Sequence, residues 1–279
     1  MLLTSTTQSL IPCVLTIAGS DSGGGAGIQA DIKTISATGS YASSVITAIT
    51  AQNTKGVNAV FPIPTEVVAA QLDAVFSDLN IQAVKIGMLA DRHIIRLVAE
   101  KIRQYTPAKV VLDPVMISTS GHTLLQPDAI AALKEHLIPL ADIVTPNIPE
   151  YVALTGMPIP NTENEMISSV ESLKALNCPA ILLKGGHLQN ESHSSDLLIT
   201  PQFCEFIRSK RHSTRHTHGT GCTLSSAIAS YLAQGHRLHK AVFLAKQYIS
   251  QAIAHADELS VGQGHGPVNH FFAGHMHVR

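Results

Sequence analysis

Short apolar runs alternate along the chain with longer amphipathic stretches, and this alternation predicts its secondary structure. Runs of only a few residues that are apolar almost throughout are typical of strands buried in a parallel sheet. The pattern predicts strands at Cys13–Ala18, Ser43–Thr50, Ala83–Ile86, Val110–Leu112, Ile143–Val144 and Ala180–Leu183.

Apolar residues three or four positions apart predict helices between these strands. Thr65 begins one such stretch, and the T-x-x-E sequence from Thr162 to Glu165 is a capping box ahead of another. The remaining helices are predicted at Gly27–Ala37, Asp91–Arg103, Asp128–His136, Thr223–Ala233 and Leu238–Ile253.

Buried strands that alternate with helices indicate a three-layer α/β/α sandwich whose central sheet is mostly parallel. A chain of 279 residues forms one large domain or at most two small ones. Because no linker or repeat interrupts the pattern, we predict one domain over 1–279 with its core from about 13 to 272. The Gly- and His-rich tail after Gly262 is either a closing loop or a frayed end.

The charge content argues for a small-molecule ligand. The net charge is −1 and only 14% of residues are charged, whereas nucleic-acid and membrane-surface proteins present a basic patch. No uncharged apolar run approaches the length of a membrane-spanning helix. The sequence therefore predicts neither a nucleic-acid nor a membrane partner.

Cysteines and histidines are numerous enough to raise the question of a metal site. The cysteines are far apart with no C-x-x-C pair, which favours reduced thiols in a cytoplasm over a disulfide framework or zinc site. The fifteen histidines are scattered, and those near the end favour a solvated tail over a metal site. The residues concerned are Cys13, Cys178, Cys204 and Cys222, and His265, His270, His275 and His277.

The segment from Thr217 to Cys222 carries the strongest chemical signal. Its sequence, THGTGC, is a glycine-rich turn that opens directly into a predicted helix. The free N–H groups and the dipole at a helix N-terminus bind anions, phosphate above all. The same position should lower the pKa of the Cys222 thiol, although a buried, unreactive cysteine is the alternative.

A second glycine-rich loop, from Gly19 to Gly27, follows the first predicted strand. It lacks the Gly-Lys-Ser/Thr ending of a Walker A loop. Gly25, Gly27 and Ala30 match the dinucleotide pattern G-x-G-x-x-A, but no acidic residue lies between Asp31 and Glu66 to bind a ribose. A substrate or phosphate loop is favoured, and a plain turn without a ligand is the alternative.

Polar residues at other strand ends should collect at the same sheet edge. Asn147 and Glu150 could arrange Mg²⁺ through water, although the same N-x-x-E sequence is also typical of a helix N-cap with its N3 partner. Lys184 could contact a phosphate or be a surface lysine. Met88 and Val115 could wall a flat heterocycle or simply pack in the core, and Gln52 could bind an aminopyrimidine edge.

Taken in order, these motifs resemble the hydroxymethylpyrimidine/phosphomethylpyrimidine kinases of thiamine synthesis, which are ribokinase-like. The resemblance runs from about residue 13 to 272. It is carried by TIAGSDSGGGAGIQADIKT (16–34), VITAITAQNTKGV (45–57), KIGML (85–89), VVLDPVM (110–116), TPNIPE (145–150), LLKGGH (182–187), THGTGCTLSSAIA (217–229) and GHGPVNHFF (264–272).

The resemblance implies ATP and Mg²⁺ as co-substrates, two successive phosphorylations and a homodimer. By the same comparison the substrate site includes Gly19, Asp21, Gln52, Met88 and Val115. Asn147 and Glu150 match the element that arranges Mg²⁺ and phosphates, and Lys184 matches a phosphate-contacting lysine. The anion hole and catalytic residues are Gly219, Thr220, Gly221 and Cys222.

Two alternatives to this function remain open. Sugar kinases of the superfamily have aspartate where this chain has Cys222, and the cysteine resembles both pyrimidine kinases and some pyridoxal kinases. A pyridoxal kinase of the same fold is therefore one alternative. A pyrimidine-binding protein without catalysis is the other, but mere binding does not need Lys184, the N-x-x-E element and the Gly-Thr-Gly segment together.

Overall fold

A nine-stranded sheet runs through the centre of the protein, in the order β3-β2-β1-β4-β5-β6-β7-β8-β9. The computed structural model describes residues 10–116, 125, 127–186, 188 and 192–274. The strands are β1 Cys13–Asp21, β2 Tyr41–Asn53, β3 Gly56–Pro62, β4 Ile81–Ile86, β5 Val110–Leu112, β6 Ile143–Val144, β7 Ile181–Lys184, β8 His193–Ile199 and β9 Cys204–Lys210. The middle of the sheet, from β2 to β7, is parallel, while β3, β8 and β9 pair antiparallel at the edges.

Helices cover both faces of the sheet. They are α1 Gly27–Ala37, α2 Thr65–Asp78, α3 Arg92–Tyr105, α4 Pro127–Ala132, α5 Ile148–Thr155, α6 Glu163–Ser168, α7 Val170–Lys174, α8 Thr220–Ala233 and α9 Leu238–Ala254. No helix in the described part of the chain combines the length and the apolar character that crossing a bilayer requires.

Alternate residues of each central strand pack into two different cores. In β1, Leu15 and Ile17 join the core under α2 to α7, whereas Val14 joins the core under α1, α8 and α9. In β5, Val110 and Leu112 face the first core and Val111 the second. Because successive side chains of a strand point to opposite faces, two covered faces require apolar residues at every position. The predicted three-layer α/β/α sandwich with its mostly parallel sheet is confirmed.

The sheet edges differ from the prediction. Strands β3, β8 and β9 were missed, and β2 is longer at both ends than Ser43–Thr50. β9 is an edge strand and leaves Glu205 exposed, whereas β8 pairs on both sides but begins with four polar residues, His193 to Asp196. Such strands lack the continuous apolar run on which the prediction depended.

Two predicted helical features are also modified. The helix predicted at Asp128–His136 becomes α4, a π-helical turn at Leu133–Leu137 and a 3-10 turn at Ile138–Leu140. The capping box at Thr162 is half formed: Glu165 N donates to Thr162 Oγ1 at 3.2 Å, but Glu165 Oε2 accepts from Asn161 N.

The C-terminal tail is a closing segment as far as the structure describes it. Pro267 bridges to His218, and Asn269 N donates to Ala252 O at the end of α9. His270, predicted to be solvated, is only 4% exposed, and burial lowers its pKa to about 4. That expectation was wrong because the tail folds back onto α8, where Thr223 Oγ1 lies 3.0 Å from His270 Nε2. His275 and His277 lie outside the described residues.

One fully buried carboxylate joins four elements of the central layers. Asp31 of α1 accepts hydrogen bonds from Thr16 Oγ1 of β1 at 2.6 Å and from Ser226 Oγ of α8 at 2.7 Å. Lys85 Nζ of β4 donates to both of its oxygens at 2.9 Å. Neither side chain of the Asp31–Lys85 pair is exposed. Burial opposes the charge of Lys85, but the hydrogen bond and negative charge of Asp31, together with Asp113 and Cys222, outweigh burial and raise its pKa. The cluster fixes α1 and α8 against the strands beneath them.

We expect Lys85→Met to cost about 3–5 kcal/mol of unfolding free energy, because it leaves the Asp31 carboxylate buried without its counter-charge. Denaturant unfolding at neutral pH measures the loss. Adding Asp31→Asn should restore part of the stability, since it removes the uncompensated charge, keeps an oxygen acceptor for one of the two hydroxyls and offers an NH₂ donor to the other. The matched control is Lys174→Met in the exposed Lys174–Glu171 pair, with an expected cost below about 1 kcal/mol. Equal costs for the two single variants would contradict this role for Lys85.

Candidate active site

A single cleft of about 570 Å³ lies along the carboxyl ends of the parallel strands. All of the site residues predicted from the sequence line it, although they come from seven separate segments of the chain. They are Gly19, Asp21, Gln52, Met88, Val115, Asn147, Glu150, Lys184, Gly219, Thr220, Gly221 and Cys222. The parallel topology brings them together because each parallel strand ends at this edge.

The Gly19–Gly27 loop forms one wall and is folded around the carboxylate of Asp21. Asp21 Oδ1 accepts from Gly23 N at 2.8 Å, and Oδ2 accepts from Gly25 N and Ala26 N at 3.1 and 2.8 Å. His218 Nε2 lies 2.9 Å from the same Oδ2. Asp21 is only 3% exposed, so its side chain acts chiefly within the protein. Burial opposes its ionisation, but His218 and the loop N–H groups outweigh burial and lower its pKa.

The N-terminus of α8 forms the facing wall. Gly219 is the N-cap, with a φ of 80°, and a Cβ there would lie 1.8 Å from Gly25 O. Only glycine fits, and the two glycine-rich segments therefore meet backbone to backbone. The first N–H groups of a helix have no partner within it, so the turn that begins at Thr220 presents donors and a positive dipole end. The arrangement suits an anion.

Lys184 is the cation beside this helix terminus. Its Nζ lies 2.7 Å from Asp113 Oδ1 and 3.9 Å from Glu150 Oε2, and a Cβ added to Gly221 would lie 3.4 Å from it. Its side chain is 13% exposed, so it is not a surface lysine. Burial opposes its charge, but Asp113 and Glu150 outweigh burial and raise its pKa.

Asp113 is a site residue that the sequence analysis did not select. It is 1% exposed and also accepts hydrogen bonds from Thr145 Oγ1 at 3.1 Å and Ser225 Oγ at 3.3 Å. Burial opposes its ionisation, but Lys184 and Lys85 outweigh burial and lower its pKa. Its place directly after the apolar run of β5 was the signal that could have identified it.

Asn147 and Glu150 form a complete capping box at the start of α5. Glu150 N donates to Asn147 Oδ1 at 2.8 Å, and Asn147 N donates to Glu150 Oε2 at 2.7 Å. Burial raises the pKa of Glu150 to about 7, with Asp113 adding to the shift and Lys184 opposing it. Both residues line the cleft, so the cap and a ligand-binding role do not exclude each other.

This donor set fits Mg²⁺ only through water. One oxygen of Asn147 and one of Glu150 are already hydrogen-bonded, and Asp113 is paired with Lys184. Within the described residues no group of three or more His, Cys, Asp or Glu side chains is placed to hold a metal ion. Mg²⁺ commonly keeps several waters and is held by phosphates together with one or two carboxylates.

Cys222 differs from its predicted chemistry. A helix N-terminus was expected to lower its pKa, but burial raises it to about 11, with Asp31 and Asp113 adding to the shift. Lys85 and a hydrogen bond from the Gly27 N–H oppose the shift without cancelling it. The expectation was wrong because burial disfavours the thiolate and the Asp31 and Asp113 carboxylates add to the shift, and neither effect can be read from the local sequence. Near neutral pH the side chain is a thiol.

The same cleft can hold a flat ring beside the N-terminus of α8. Met88 and Val115 supply apolar surface, and a Cβ added to Gly19 would lie 3.1 Å from Met88 Sδ. The Gln52 carboxamide supplies the polar edge and contacts His218 Nε2 at 3.2 Å. His218 was not selected from the sequence, although it immediately precedes the glycine turn at Gly219.

Comparisons with known proteins agree with this geometry. A family model described as phosphomethylpyrimidine kinase matches residues 21–269. A hydroxymethylpyrimidine/phosphomethylpyrimidine kinase of Rhizobium meliloti is 53% identical over 92% of this chain and 96% of its own length. A thiamine biosynthesis bifunctional protein of Geobacter sulfurreducens is 51% identical over 93% of this chain and 52% of its own length. Among solved structures, an ADP complex of Bacillus subtilis pyridoxal kinase superposes with a TM-score of 0.86 at 36% identity, covering 93% of this chain and 97% of that one.

We expect Glu150→Gln to stabilise the fold increasingly as pH rises from about 5 to about 8. Folding raises the pKa of Glu150 from 4.5 to about 7, so the folded state binds more protons than the unfolded state within that window. The stability that the protonated Glu150 carboxyl contributes is therefore lost as pH rises through this window. Glutamine stays neutral and still suits the N3 position of a capping box. Unfolding free energies measured at several pH values test this.

The control for this prediction is Glu165→Gln, which changes the exposed N3 residue of α6. This variant measures the effect of glutamine at an N3 position where the original carboxyl is exposed and not buried. If the difference between Glu150→Gln and the unaltered chain stays constant with pH, the buried carboxyl does not titrate as inferred.

Proposed function

The chain belongs to the phosphomethylpyrimidine kinase family, and we propose that it transfers the γ-phosphoryl group of ATP to 4-amino-5-hydroxymethyl-2-methylpyrimidine and then to the resulting monophosphate. The diphosphate supplies the pyrimidine half of thiamine. The observation that carries the proposal is the cleft itself, in which a Gln52 ring site faces the α8 N-terminus and the Lys184–Asp113 pair. The cleft therefore offers contacts for a ring that carries a hydroxymethyl group and for a nucleoside triphosphate.

Phosphoryl transfer depends mostly on positioning and charge neutralisation, because its transition state is loose. In the proposed arrangement Gln52 holds the pyrimidine edge, while Gly19, Met88 and Val115 confine the ring. Its hydroxymethyl group then points toward the N–H groups of residues 219–222.

The γ-phosphoryl group is assigned to the N-terminus of α8. The N–H groups of Gly219, Thr220 and Gly221 stabilise charge on its equatorial oxygens, and Lys184 adds a positive charge beside them. Asp113 holds the Lys184 ammonium in place. When bound, Mg²⁺ would neutralise charge on the phosphates, held through water by Asn147 and Glu150.

We propose that the thiolate form of Cys222 accepts the proton of the substrate hydroxyl in the first step and becomes the thiol. The second acceptor is already an anionic phosphate, so the second step has little need of a base. Because the pKa of Cys222 is about 11, this assignment makes the first step faster as pH rises above neutrality. The alternative is that Cys222 only completes the anion hole.

Three further points belong to the proposal. The first is one kinase domain over 1–279, which a single sheet with its two cores in the described residues supports. The second is a homodimer, which would cover the outer hairpin β2–β3, where Ile49 and Phe61 are 50% and 64% exposed. The third is a cytoplasmic location, which the four free cysteines support.

The proposed function predicts ADP release from ATP with hydroxymethylpyrimidine and with its monophosphate. A coupled assay of ADP release, together with identification of the phosphorylated pyrimidine products, measures both steps. Pyridoxine is the control substrate, since the Bacillus subtilis structure is that of a pyridoxal kinase. A higher kcat/KM for pyridoxine than for hydroxymethylpyrimidine would favour the pyridoxal kinase alternative. If none of hydroxymethylpyrimidine, its monophosphate and pyridoxine led to ADP release, the chain would be a binding protein without catalysis.

Cys222→Ala should slow phosphorylation of the alcohol by about 10²-fold or more and affect the monophosphate step far less, since a positioned base contributes at least that much. Single-turnover rates for the two steps measure the difference. Cys204→Ala, an exposed cysteine of β9, is the control. Equal losses in both steps would leave Cys222 as a structural part of the anion hole.

A further inference from the structure

His218 occupies a fixed position between the glycine-rich loop and the substrate ring site. It is 8% exposed, and a Cβ added to Gly25 would lie 2.5 Å from its ring carbon Cδ2. Its backbone is held on the other side, where His218 N donates to Gly266 O at 3.1 Å. The imidazole is therefore packed against Gly25, and the His218 backbone is fixed to the C-terminal segment, an arrangement that keeps the ring beside Asp21 and Gln52.

The proton on His218 Nε2 is determined by Asp21. The Asp21 carboxylate, whose pKa is lowered by His218 and the loop amides despite burial, can only accept hydrogen bonds when ionised. His218 Nε2 lies 2.9 Å from its Oδ2, so this nitrogen must carry a proton and donate it. An unprotonated Nε2 would place two acceptors against each other.

That proton in turn determines which end of the Gln52 carboxamide faces His218. As placed, the carboxamide directs its nitrogen at His218 Nε2 and its oxygen at Thr50 Oγ1, each at 3.2 Å. The two ends have the same shape, so hydrogen bonding decides between them. An NH₂ group against a protonated Nε2 sets two donors against each other, so we infer that the carboxamide is turned around. Its oxygen then shares the Nε2 proton with Asp21, and its NH₂ group lies toward Thr50 Oγ1. Thr50 Oγ1 can accept there, because it donates its own proton to Ser20 O at 2.9 Å.

We propose that His218, held by Asp21, is a specificity-determining residue that fixes the Gln52 carboxamide in one orientation and so selects a 4-aminopyrimidine over its 4-oxo counterpart. The inference rests on the proposed function. A 4-aminopyrimidine offers an acceptor at N3 next to a donor at the amino group. The 4-oxo ring with a proton on N3 offers the reverse, so a carboxamide that cannot turn around matches only one of the two.

Calorimetric binding of the two rings tests the proposal without requiring turnover. For the unaltered chain we expect the 4-amino ring to bind at least about tenfold more tightly than 5-hydroxymethyl-2-methylpyrimidin-4-one, since each mispaired hydrogen bond costs about 1–3 kcal/mol. His218→Leu frees the carboxamide to rotate and should reduce that ratio by about tenfold. Affinity for the ATP analogue AMP-PCP should be unchanged and shows that the rest of the cleft is intact.

Matched variants separate specificity from folding. His218→Asn removes Nε2 without placing an apolar side chain beside Asp21, and should reduce the ratio as His218→Leu does. His265→Asn changes an exposed histidine of the C-terminal segment and should leave the ratio unaltered. An unchanged ratio in folded His218 variants would overturn the proposal, as would equal affinities of the unaltered chain for both rings.

A spectroscopic measurement covers the case in which neither His218 variant folds. Nitrogen-15 NMR of the histidine rings of the unaltered chain should show a proton on His218 Nε2, and a ring protonated only on Nδ1 would overturn the inference. Failure of the proposed function gives a different result, because the unaltered chain would then bind neither pyrimidine.

Discussion

The structure depends on one buried carboxylate. Asp31 bonds to Thr16, Lys85 and Ser226, and so joins α1 and α8 to the two neighbouring strands β1 and β4. A carboxylate removed from water is costly unless its oxygens are hydrogen-bonded and its charge is paired, and here both conditions are met. The N-terminus of α8 is the anion-binding end of the cleft. The buried pair therefore also sets the position of the groups that receive phosphate.

Charge is arranged in a similar way within the cleft. Lys184 is paired with Asp113, so it does not need to move or lose water when phosphates arrive. Asp113 in turn is fixed by Thr145 and Ser225. Such preorganisation favours transfer of a charged group, because the surrounding dipoles are already oriented before the substrate binds. The Asn147–Glu150 capping box serves the same end by fixing the first turn of α5.

The sequence predicted the parts of the molecule in which local pattern and burial agree. Central strands such as β5 are apolar throughout because both faces are covered, and the glycine at 219 has a conformation that only glycine adopts easily. The edge strand β9 was missed because exposed polar residues are tolerated there, and the internal strand β8 was missed because its first four residues are polar. The partners of Asp31 and Asp113 were missed for another reason: Lys85 and Lys184 lie far from them in sequence, and nothing local indicates a pair.

Cys222 shows how such distant pairs change local chemistry. A cysteine at a helix N-terminus should be acidic, yet Asp31 and Asp113 lie close enough in the folded chain to help raise its pKa to about 11. A thiolate beside the phosphates of ATP would repel them, whereas a neutral thiol leaves the positive end of α8 available to the anion. Burial, together with the same carboxylates that hold α8 and Lys184 in place, therefore keeps the thiol mostly neutral when phosphate binds, and only its ionised fraction can act as the proposed base.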